Sequence, residues 1–257
     1  MNFIKRFLMG AALVAIAISF ARVPIRADSL SASYFQLPEV NPDTNHGNGG
    51  KGLLLPTLGP NGFPVVNAAG LAALNDVDPT THQIEWWSPA LDPAVTVLNN
   101  PVYPSTITLP FIDNNMYTNT TILGQNGNDN TAFLTAEFQG NFSLASAGSV
   151  TFNVCSDDDE FVYVDGDLVV DNGGIHATSC VSPTNLNLGA GNHSLTVFYA
   201  DRENSGAVFQ LTANIGLTPP STTPEPATLS LFGLGLLGLG LAVRAKQRLR
   251  RWVVPLK

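Results

Sequence analysis

Four consecutive carboxylates, Asp157 to Glu160, form the densest group of side chains in the sequence that could do chemistry. They follow an alternating apolar segment that predicts a strand, and the nearest Lys or Arg along the chain is Arg202. Like charges this close repel one another unless water surrounds them or a hard cation such as Ca²⁺ gathers their oxygens. From spacing alone, a solvated turn and a calcium site are equally good interpretations.

The chain has two cysteines, Cys155 and Cys180. In an exported protein such a pair predicts a disulfide, which would close a loop of roughly 25 residues and add about 3 kcal/mol by chain-entropy estimates. Two buried free thiols are the alternative.

Other candidate sites have weaker signals. Trp86 and Trp87 could offer a stacking platform for a sugar ring, although in a strand one ring would face the core. The sequence has no Gly-x-Ser-x-Gly elbow and no zinc-binding spacing of histidines. We therefore predict that the protein is not an enzyme.

The charges are separated along the chain. Four basic residues lie in 1–27 and six in 244–257, whereas all 20 acidic residues lie in 28–226. Only Lys51 and Arg202 offset them there, which leaves that segment with two positive charges against 20 negative ones, a net charge of −18. Such a segment repels nucleic acid and suits cations or neutral ligands, so no nucleic-acid partner is expected.

The N-terminal segment, residues 1–27, has the pattern of a secretory signal peptide. An uncharged apolar run from Phe7 to Ala21 follows Lys5 and Arg6, and it is short for a membrane-spanning helix. Cleavage could follow Ala21 or Ala27. An uncleaved anchor is the alternative.

A second apolar run, residues 227–243, predicts a transmembrane helix. At about 1.5 Å per residue it is just long enough to cross a bilayer, and the basic tail 244–257 should hold its end in the cytoplasm. A Pro-rich segment, 218–226, precedes it as a stiff spacer.

Pro224-Glu225-Pro226, the apolar run and the basic tail together resemble the PEP-CTERM sorting signal. The resemblance implies an exosortase-type membrane protease as a partner, which would cut near the Pro-Glu-Pro motif. It also implies an inner-membrane intermediate, then a place at the cell surface or in the extracellular matrix. A plain single-pass anchor is the alternative.

The segment between these ends, 28–217, is predicted to be an all-β ectodomain, an antiparallel β-sandwich or barrel. Apolar residues alternate through 149–154, 195–199 and 207–215, and Asp165-Gly166 between two apolar runs predicts a hairpin. No helical periodicity of useful length appears. The clearest pattern covers 132–216.

The segment 34–131 is rich in Pro, Gly and Asn. Strands are predicted around 83–87, 95–98 and 105–109, joined by long loops to the same core. The Asn-rich stretch 114–130 is predicted to be a surface loop.

Residues 138–215 resemble the β-barrel domain first described in anthrax protective antigen and shared by yeast flocculins. The resemblance is carried, in chain order, by Phe138-x-Gly-x-Phe142, Ser156-Asp157-Asp158, Tyr163-x-Asp165-Gly166, Leu168-Val-Val-Asp171 and Gly191-x-His-Ser-Leu195. The triple Asp157–Asp159, the segment Gly173–His176 and Phe198–Arg202 are more similar to the fibro-slime variant of that domain.

The resemblance implies a particular calcium site. In calcium-dependent flocculins, two adjacent Asp residues joined by a cis peptide direct both carboxylates at one Ca²⁺. The matching residues here are Asp157 and Asp158, and Asp159 extends the pair. A second loop, which corresponds to Asp201–Gly206, would add Glu203 or Asn204. The resemblance also marks His176 as a ligand-binding candidate.

Two functions from different classes follow. One is a Ca²⁺-assisted carbohydrate-binding or adhesive module, which acts on exopolysaccharide or on cell-surface glycans. The alternative is a structural matrix or surface-coat protein that binds no small ligand.

Overall fold

The computed structural model describes residues 29–45, 50–125 and 127–217. All of them belong to the compact unit of the chain that ends at Pro219. The predicted signal peptide, the Pro-Glu-Pro motif, the apolar run 227–243 and the basic tail lie outside the described residues.

The described residues form eleven strands and one short helix. The strands are β1 (Ser29–Pro38), β2 (Thr96–Val97), β3 (Thr106–Thr108), β4 (Phe111–Asp113), β5 (Ala132–Leu144), β6 (Gly148–Asp157), β7 (Asp159–Val164), β8 (Asp167–Asn172), β9 (Ser179–Leu188), β10 (Gly191–Ala200) and β11 (Val208–Ala213), and the helix is α1 (Ala68–Ala73). Asn67 caps α1, because its side chain accepts hydrogen bonds from the backbone N–H groups of Ala69 and Gly70.

Two antiparallel sheets make up the fold. The larger has the order β2-β1-β5-β10-β7-β8, with β3 also paired to β1, and the smaller has the order β4-β11-β6-β9. The prediction of an all-β antiparallel fold is confirmed. The predicted strands near 95–98 and 105–109 are short edge strands, whereas 83–87 contributes only isolated bridges at Gln83 and Ile84.

Alternate side chains of both sheets fill the space between them. Val150, Phe152 and Val154 of β6 lie in this core, as the alternation predicts. Leu195, Val197 and Tyr199 of β10 lie there too, and Phe138 of β5 stacks on Phe209 of β11 with ring centroids 4.7 Å apart. Each strand buries one face because successive side chains point to opposite sides.

The opposite face of the larger sheet is also buried. Residues from the irregular segment 53–95, including Trp86 and Trp87, cover Phe133, Phe161 and Phe198 and form a second apolar cluster. The long segment 34–131 therefore joins the same domain, as predicted, but it does so by covering a sheet face. Packing on both sides makes the larger sheet the middle layer of the domain.

Two local predictions are confirmed. Asp165 and Gly166 form the tight turn between β7 and β8, both with positive φ, 54° and 84°. Cys155 and Cys180 lie opposite each other on β6 and β9 with Cα atoms 4.0 Å apart, and their sulfurs are bonded.

In the described ranges, no helix is long and apolar enough to span a membrane. The predicted span, 227–243, lies outside those ranges.

Candidate functional site

Four loops meet at one edge of the domain because of how the strands pair. β6 ends beside the start of β11, β7 starts beside the ends of β8 and β10, and β5 starts beside the end of β10. The loops before β5, β7, β9 and β11 are therefore neighbours. We call the four carboxylates at this meeting point, Asp129, Asp157, Asp158 and Asp201, the acidic edge. All four are at most 5% exposed.

Asp157 is the last residue of β6. Its Oδ2 accepts a hydrogen bond from the Thr178 hydroxyl at 3.3 Å, and its backbone carbonyl accepts one from the Tyr199 hydroxyl at 2.8 Å. A Cβ on Gly206 would lie 2.6 Å from Asp157 Oδ2, and Gly206 has φ +106°. Glycine therefore lets the loop before β11 approach this carboxylate. Burial raises the pKa of Asp157.

The peptide bond between Asp157 and Asp158 is cis, as the flocculin resemblance implies. Both oxygens of Asp158 are engaged, because Oδ1 accepts the His176 backbone N–H at 2.9 Å and Oδ2 accepts the Arg202 backbone N–H at 2.7 Å. Burial, and then the negative charge of Asp159, raise the pKa of Asp158 to about 7. Asp158 thereby ties the loops before β9 and β11 to the start of β7.

Asp159 forms a buried salt bridge with Arg202. Arg202 Nε lies 2.7 Å from Oδ2 and Nη2 lies 3.2 Å from Oδ1, while the Gly174 backbone N–H donates to Oδ1 at 2.6 Å. Such a forked contact is typical of a structural pair. Both oxygens of Asp159 are engaged in the structure by Arg202 and Gly174, and its predicted role as a metal ligand stays a prediction.

Arg202 also fixes the position of a tryptophan. Its guanidinium lies 4.5 Å from the Trp86 ring centroid, and its Nη1 donates to the Asp43 carbonyl at 2.8 Å. Trp86 is 0% and Trp87 1% exposed, and the Trp87 indole N–H donates to the Tyr199 carbonyl. Neither ring offers a face to a sugar. The predicted ligand-binding role of both tryptophans is therefore wrong, and both are packing residues.

Glu160 points away from this pair into the core between the sheets. It is 0% exposed, and neither of its oxygens has a hydrogen-bond partner. Burial raises its pKa well above the usual value. The residue directly opposite on β8 is Asn172, whose Oδ1 is also buried without a partner.

Asp129 and Asp201 were not candidates from the sequence, yet their carboxyls adjoin one another. Asp201 is 0% exposed, and neither of its oxygens accepts a hydrogen bond of good geometry, although the Glu203 backbone N–H is near. Asp129 Oδ1 also lacks a partner. Burial, and then the charge of Asp157, raise the pKa of Asp129 to about 7, and burial followed by Asp129 raises that of Asp201 well above the usual value.

The other residues that the sequence predicts to bind a metal or ligand are Glu203, Asn204 and His176. They lie next to the acidic edge but are not among its four carboxylates. Glu203 is half-buried and accepts the backbone N–H of Asn204, which is exposed. The His176 ring contacts the backbone carbonyls of Ala177 and Asn172. The structure thus gives His176 a loop-bracing role through its side chain and through its N–H to Asp158.

Tyr117 is a half-buried aromatic residue at the acidic edge that the sequence did not single out. Burial, and then the charges of Asp129, Asp201 and Asp157, raise the pKa of its hydroxyl. It lies in the Asn-rich stretch predicted as a surface loop. No sequence signal marked it, because its position depends on loops that are distant along the chain.

Within the described ranges, no three or more His, Cys, Asp or Glu side chains are grouped as a ready-made metal site. Oxygen ligands for a hard cation are nevertheless concentrated here, and Asp157, Asp129 and Asp201 retain oxygens that accept few hydrogen bonds. A cation at this edge would need backbone carbonyls, amide oxygens or water to complete its coordination.

Two open clefts lie elsewhere. One, of about 450 Å³, is mostly apolar and is lined by residues of 101–104, 111–113 and 122–124. The other, of about 310 Å³, is lined by Gln36, Tyr103 and residues of 98–100 and 118–120. Neither is lined by a residue predicted from the sequence to bind a ligand.

Comparison with known proteins identifies two parts of the chain. The model of the PEP-CTERM protein-sorting motif matches residues 222–247, which confirms that sequence prediction. The PA14 domain model matches residues 69–228. The finer assignment to the fibro-slime variant stays a prediction. No curated protein matches the chain.

Solved structures similar to this chain include the PA14 domain of the MpAFP antifreeze protein, at 20% identity and a TM-score of 0.31, where the match covers 36% of this chain and 55% of that one. A PA14 sugar-binding domain from an RTX adhesin matches at 24% identity and a TM-score of 0.29, over 37% and 51%. A β-glucosidase from Kluyveromyces marxianus matches at 16% identity and a TM-score of 0.28, over 32% and 11%.

The chain spans about half the length of the first two of these structures. The PA14 match, in contrast, covers more than half of this chain and includes β2 to β11 and the acidic edge. The chain therefore belongs to the PA14 domain family.

Proposed function

We propose that this protein is an exported cell-surface or extracellular-matrix protein whose PA14 domain binds carbohydrate, either an exopolysaccharide or a cell-surface glycan, with the help of Ca²⁺. Membership in the PA14 family supports the carbohydrate class, and the PEP-CTERM motif supports export and processing by an exosortase-type protease near Pro224–Pro226. Binding without catalysis is the activity proposed.

The observation that carries the proposal is the acidic edge itself. Four buried carboxylates lie close together on converging elements, and three of them, Asp129, Asp157 and Asp201, keep oxygens that accept few hydrogen bonds. Ca²⁺ prefers carboxylate and carbonyl oxygens and accepts irregular geometry. Its remaining coordination positions can take the hydroxyls of a sugar.

Tyr117 is the aromatic residue best placed to assist. Trp86 and Trp87 are buried, whereas Tyr117 is partly exposed beside Asp129 and Asp157. An aromatic face next to a bound cation suits a sugar ring, which presents C–H groups on one side and hydroxyls on its rim.

A glycan array tests this function. We expect the full chain, in mild detergent, to bind a subset of glycans in millimolar Ca²⁺ and to lose that binding in chelator. Asp157→Asn with Asp158→Asn should abolish binding, whereas Glu39→Gln with Asp167→Asn, two exposed acids that are not among the four carboxylates of the acidic edge, should retain it. Absence of glycan binding under both conditions would favour the structural matrix or surface-coat role.

A further inference from the structure

The smaller of the two open clefts is lined mainly by polar side chains without charge. It has a volume of about 310 Å³, and its polar lining residues are Gln36, Asn100, Thr118, Asn119 and Thr120. Leu98 and Tyr103 complete the lining, so none of the described residues that line the cleft is acidic or basic. Amides, hydroxyls and one aromatic ring around a cleft of this size suit a small neutral ligand that is rich in hydroxyl groups.

Three of these side chains keep polar groups that have no hydrogen-bond partner in the described ranges. Gln36 is half-buried, and its side-chain amide makes no hydrogen bond there. Asn100 Oδ1 accepts the Val102 backbone N–H at 3.0 Å, which leaves its Nδ2 as a donor. Asn119 Nδ2 donates to the Thr131 hydroxyl at 3.0 Å, which leaves its Oδ1 as an acceptor. The cleft therefore offers donors and acceptors together, which a sugar hydroxyl can use because it both donates and accepts.

Hydrogen bonds fix the walls of the cleft. The Tyr103 hydroxyl donates to the Thr118 carbonyl at 2.6 Å and joins the loop after β2 to the loop before β5. The Thr118 hydroxyl donates to the Ala132 carbonyl at 3.0 Å, and the Leu98 N–H donates to the Tyr34 carbonyl at 2.8 Å, so both loops are anchored to the larger sheet. Because the walls are already ordered, a ligand loses less free energy to ordering them.

We propose that this cleft, which we call the amide cleft, binds one neutral sugar residue of a glycan without a metal ion. Gln36 and Asn100 hydrogen-bond the sugar hydroxyls, and Tyr103 and Leu98 supply apolar surface for the C–H groups of the ring. Uronic acids and phosphorylated sugars are disfavoured, because no basic side chain among the lining residues would pair with their charge. The inference rests on the proposed function for the class of ligand only, since the acidic edge and its cation take no part in it.

The amide cleft adjoins the acidic edge. Tyr117 lies at that edge, and the next three residues along the chain, 118–120, line the cleft. A glycan held at the edge can therefore place a further sugar residue in the cleft, which raises the affinity for longer chains through a second linked contact.

Saturation-transfer difference NMR tests the amide cleft, with the full chain in chelator and in a mild detergent that has no sugar head group. The method detects weak binding that the washing of an array removes. The probes are cellotetraose, maltotetraose and mannotetraose, with tetragalacturonate as the charged comparison. We expect saturation transfer to at least one neutral tetrasaccharide and none to tetragalacturonate.

A matched pair of variants assigns the binding to the cleft. Gln36→Met with Asn100→Asp removes the unpartnered amide groups but keeps the oxygen that accepts the Val102 N–H, and it should weaken binding by about tenfold or more. Gln139→Met with Asn153→Asp makes the same chemical changes at exposed positions of β5 and β6 that do not line the cleft, and it should leave binding unchanged.

A second measurement guards against misfolding. Both double variants should melt close to the temperature of the unchanged protein, because their positions lie outside the two apolar clusters, and Asn100→Asp alone, at an exposed loop position, should also weaken binding. Undiminished saturation transfer in the Gln36→Met, Asn100→Asp variant would overturn the inference. So would equal transfer to tetragalacturonate, or none from the unchanged protein to any neutral tetrasaccharide. These measurements are made in chelator, so the proposed function, tested by the array in Ca²⁺, stands or fails separately.

Discussion

On one face of β7, the Asp159 carboxylate meets the Arg202 guanidinium and a backbone N–H; on the other face, the next residue, Glu160, is buried with no donor at all. The alternation of a strand sends two adjacent carboxylates into different surroundings. The comparison shows that an acidic run in a sequence is not a single electrostatic unit. Its members can have opposite effects on stability.

Loss of the compensating charge should have the largest effect. Arg202→Met would leave Asp159 buried without its cation, and breaking a buried pair in this way costs about 3–5 kcal/mol of unfolding free energy. Urea denaturation of the full chain measures it. Lys51→Met, which removes the same charge from an exposed position, should change stability by less than about 0.5 kcal/mol.

A double variant sharpens this result. Arg202→Met with Asp159→Leu removes both charges and should recover much of the loss, because the penalty of the single variant comes from the unpaired carboxylate. If Arg202→Met were as mild as Lys51→Met, the salt bridge would not compensate Asp159, and the contrast across β7 would fail.

Substitution of Glu160, on the other face of β7, should change the free energy of unfolding in the opposite direction. Glu160→Met keeps an unbranched side chain of similar length and removes two oxygens that lack partners, so it should stabilise the protein by about 1–3 kcal/mol. Its control is Glu39→Met at an exposed position, where little change is expected. A clear loss of stability in Glu160→Met would mean that an internal water or ion satisfies the carboxylate.

Much of the fold followed from local patterns. Alternation through β6, β10 and β11 identified their core-facing residues, and Asp165-Gly166 identified the hairpin, because both signals depend on residues adjacent in sequence. The segment 34–131 lacks such alternation. Trp87 packs on Phe161 and Phe198 of the larger sheet, and Trp86 packs on Trp87 and Arg202, contacts that no local pattern reveals.

Only some residues of the candidate site could likewise be predicted from the sequence. Asp157 and Asp158 were identified because the acidic run and the resemblance both marked them. Asp129 and Asp201 were not, since they lie in different loops and only the pairing of β5 with β10 brings those loops together. Likewise, the role of Asp159 could not be read from its neighbours, because Arg202, its partner, is distant along the chain.

The smallest expected effect concerns a second contrast of the same kind, between Asp76 and Asp78. Asp76 is buried, and although Asn41 Nδ2 donates to its Oδ2 at 2.7 Å, burial raises the pKa of Asp76 to about 7, with Asp92 and Glu85 adding to the shift. Asp78 accepts hydrogen bonds from the Thr81 side chain and backbone, which lower its pKa.

The two residues should therefore depend on pH with opposite signs. A carboxyl whose folded pKa is raised destabilises the protein above that pKa, and the penalty shrinks as pH falls through about 7 and disappears near the unfolded value of about 4. Asp76→Asn should thus stabilise the protein by about 1 kcal/mol at pH 8 and by almost nothing at pH 4. Its new amide can donate to Glu85, whose carboxyl adjoins it.

Asp78→Asn is the matched control with the opposite expectation. A lowered folded pKa contributes stability that is present above the unfolded value of about 4 and is lost as pH falls through the folded pKa. The variant should therefore be less stable than the unchanged protein at pH 8, and the difference should close in acid. Urea denaturation of both variants at several pH values measures the two trends. If both variants followed the same pH trend, hydrogen-bond donors would not decide how these two carboxylates affect stability.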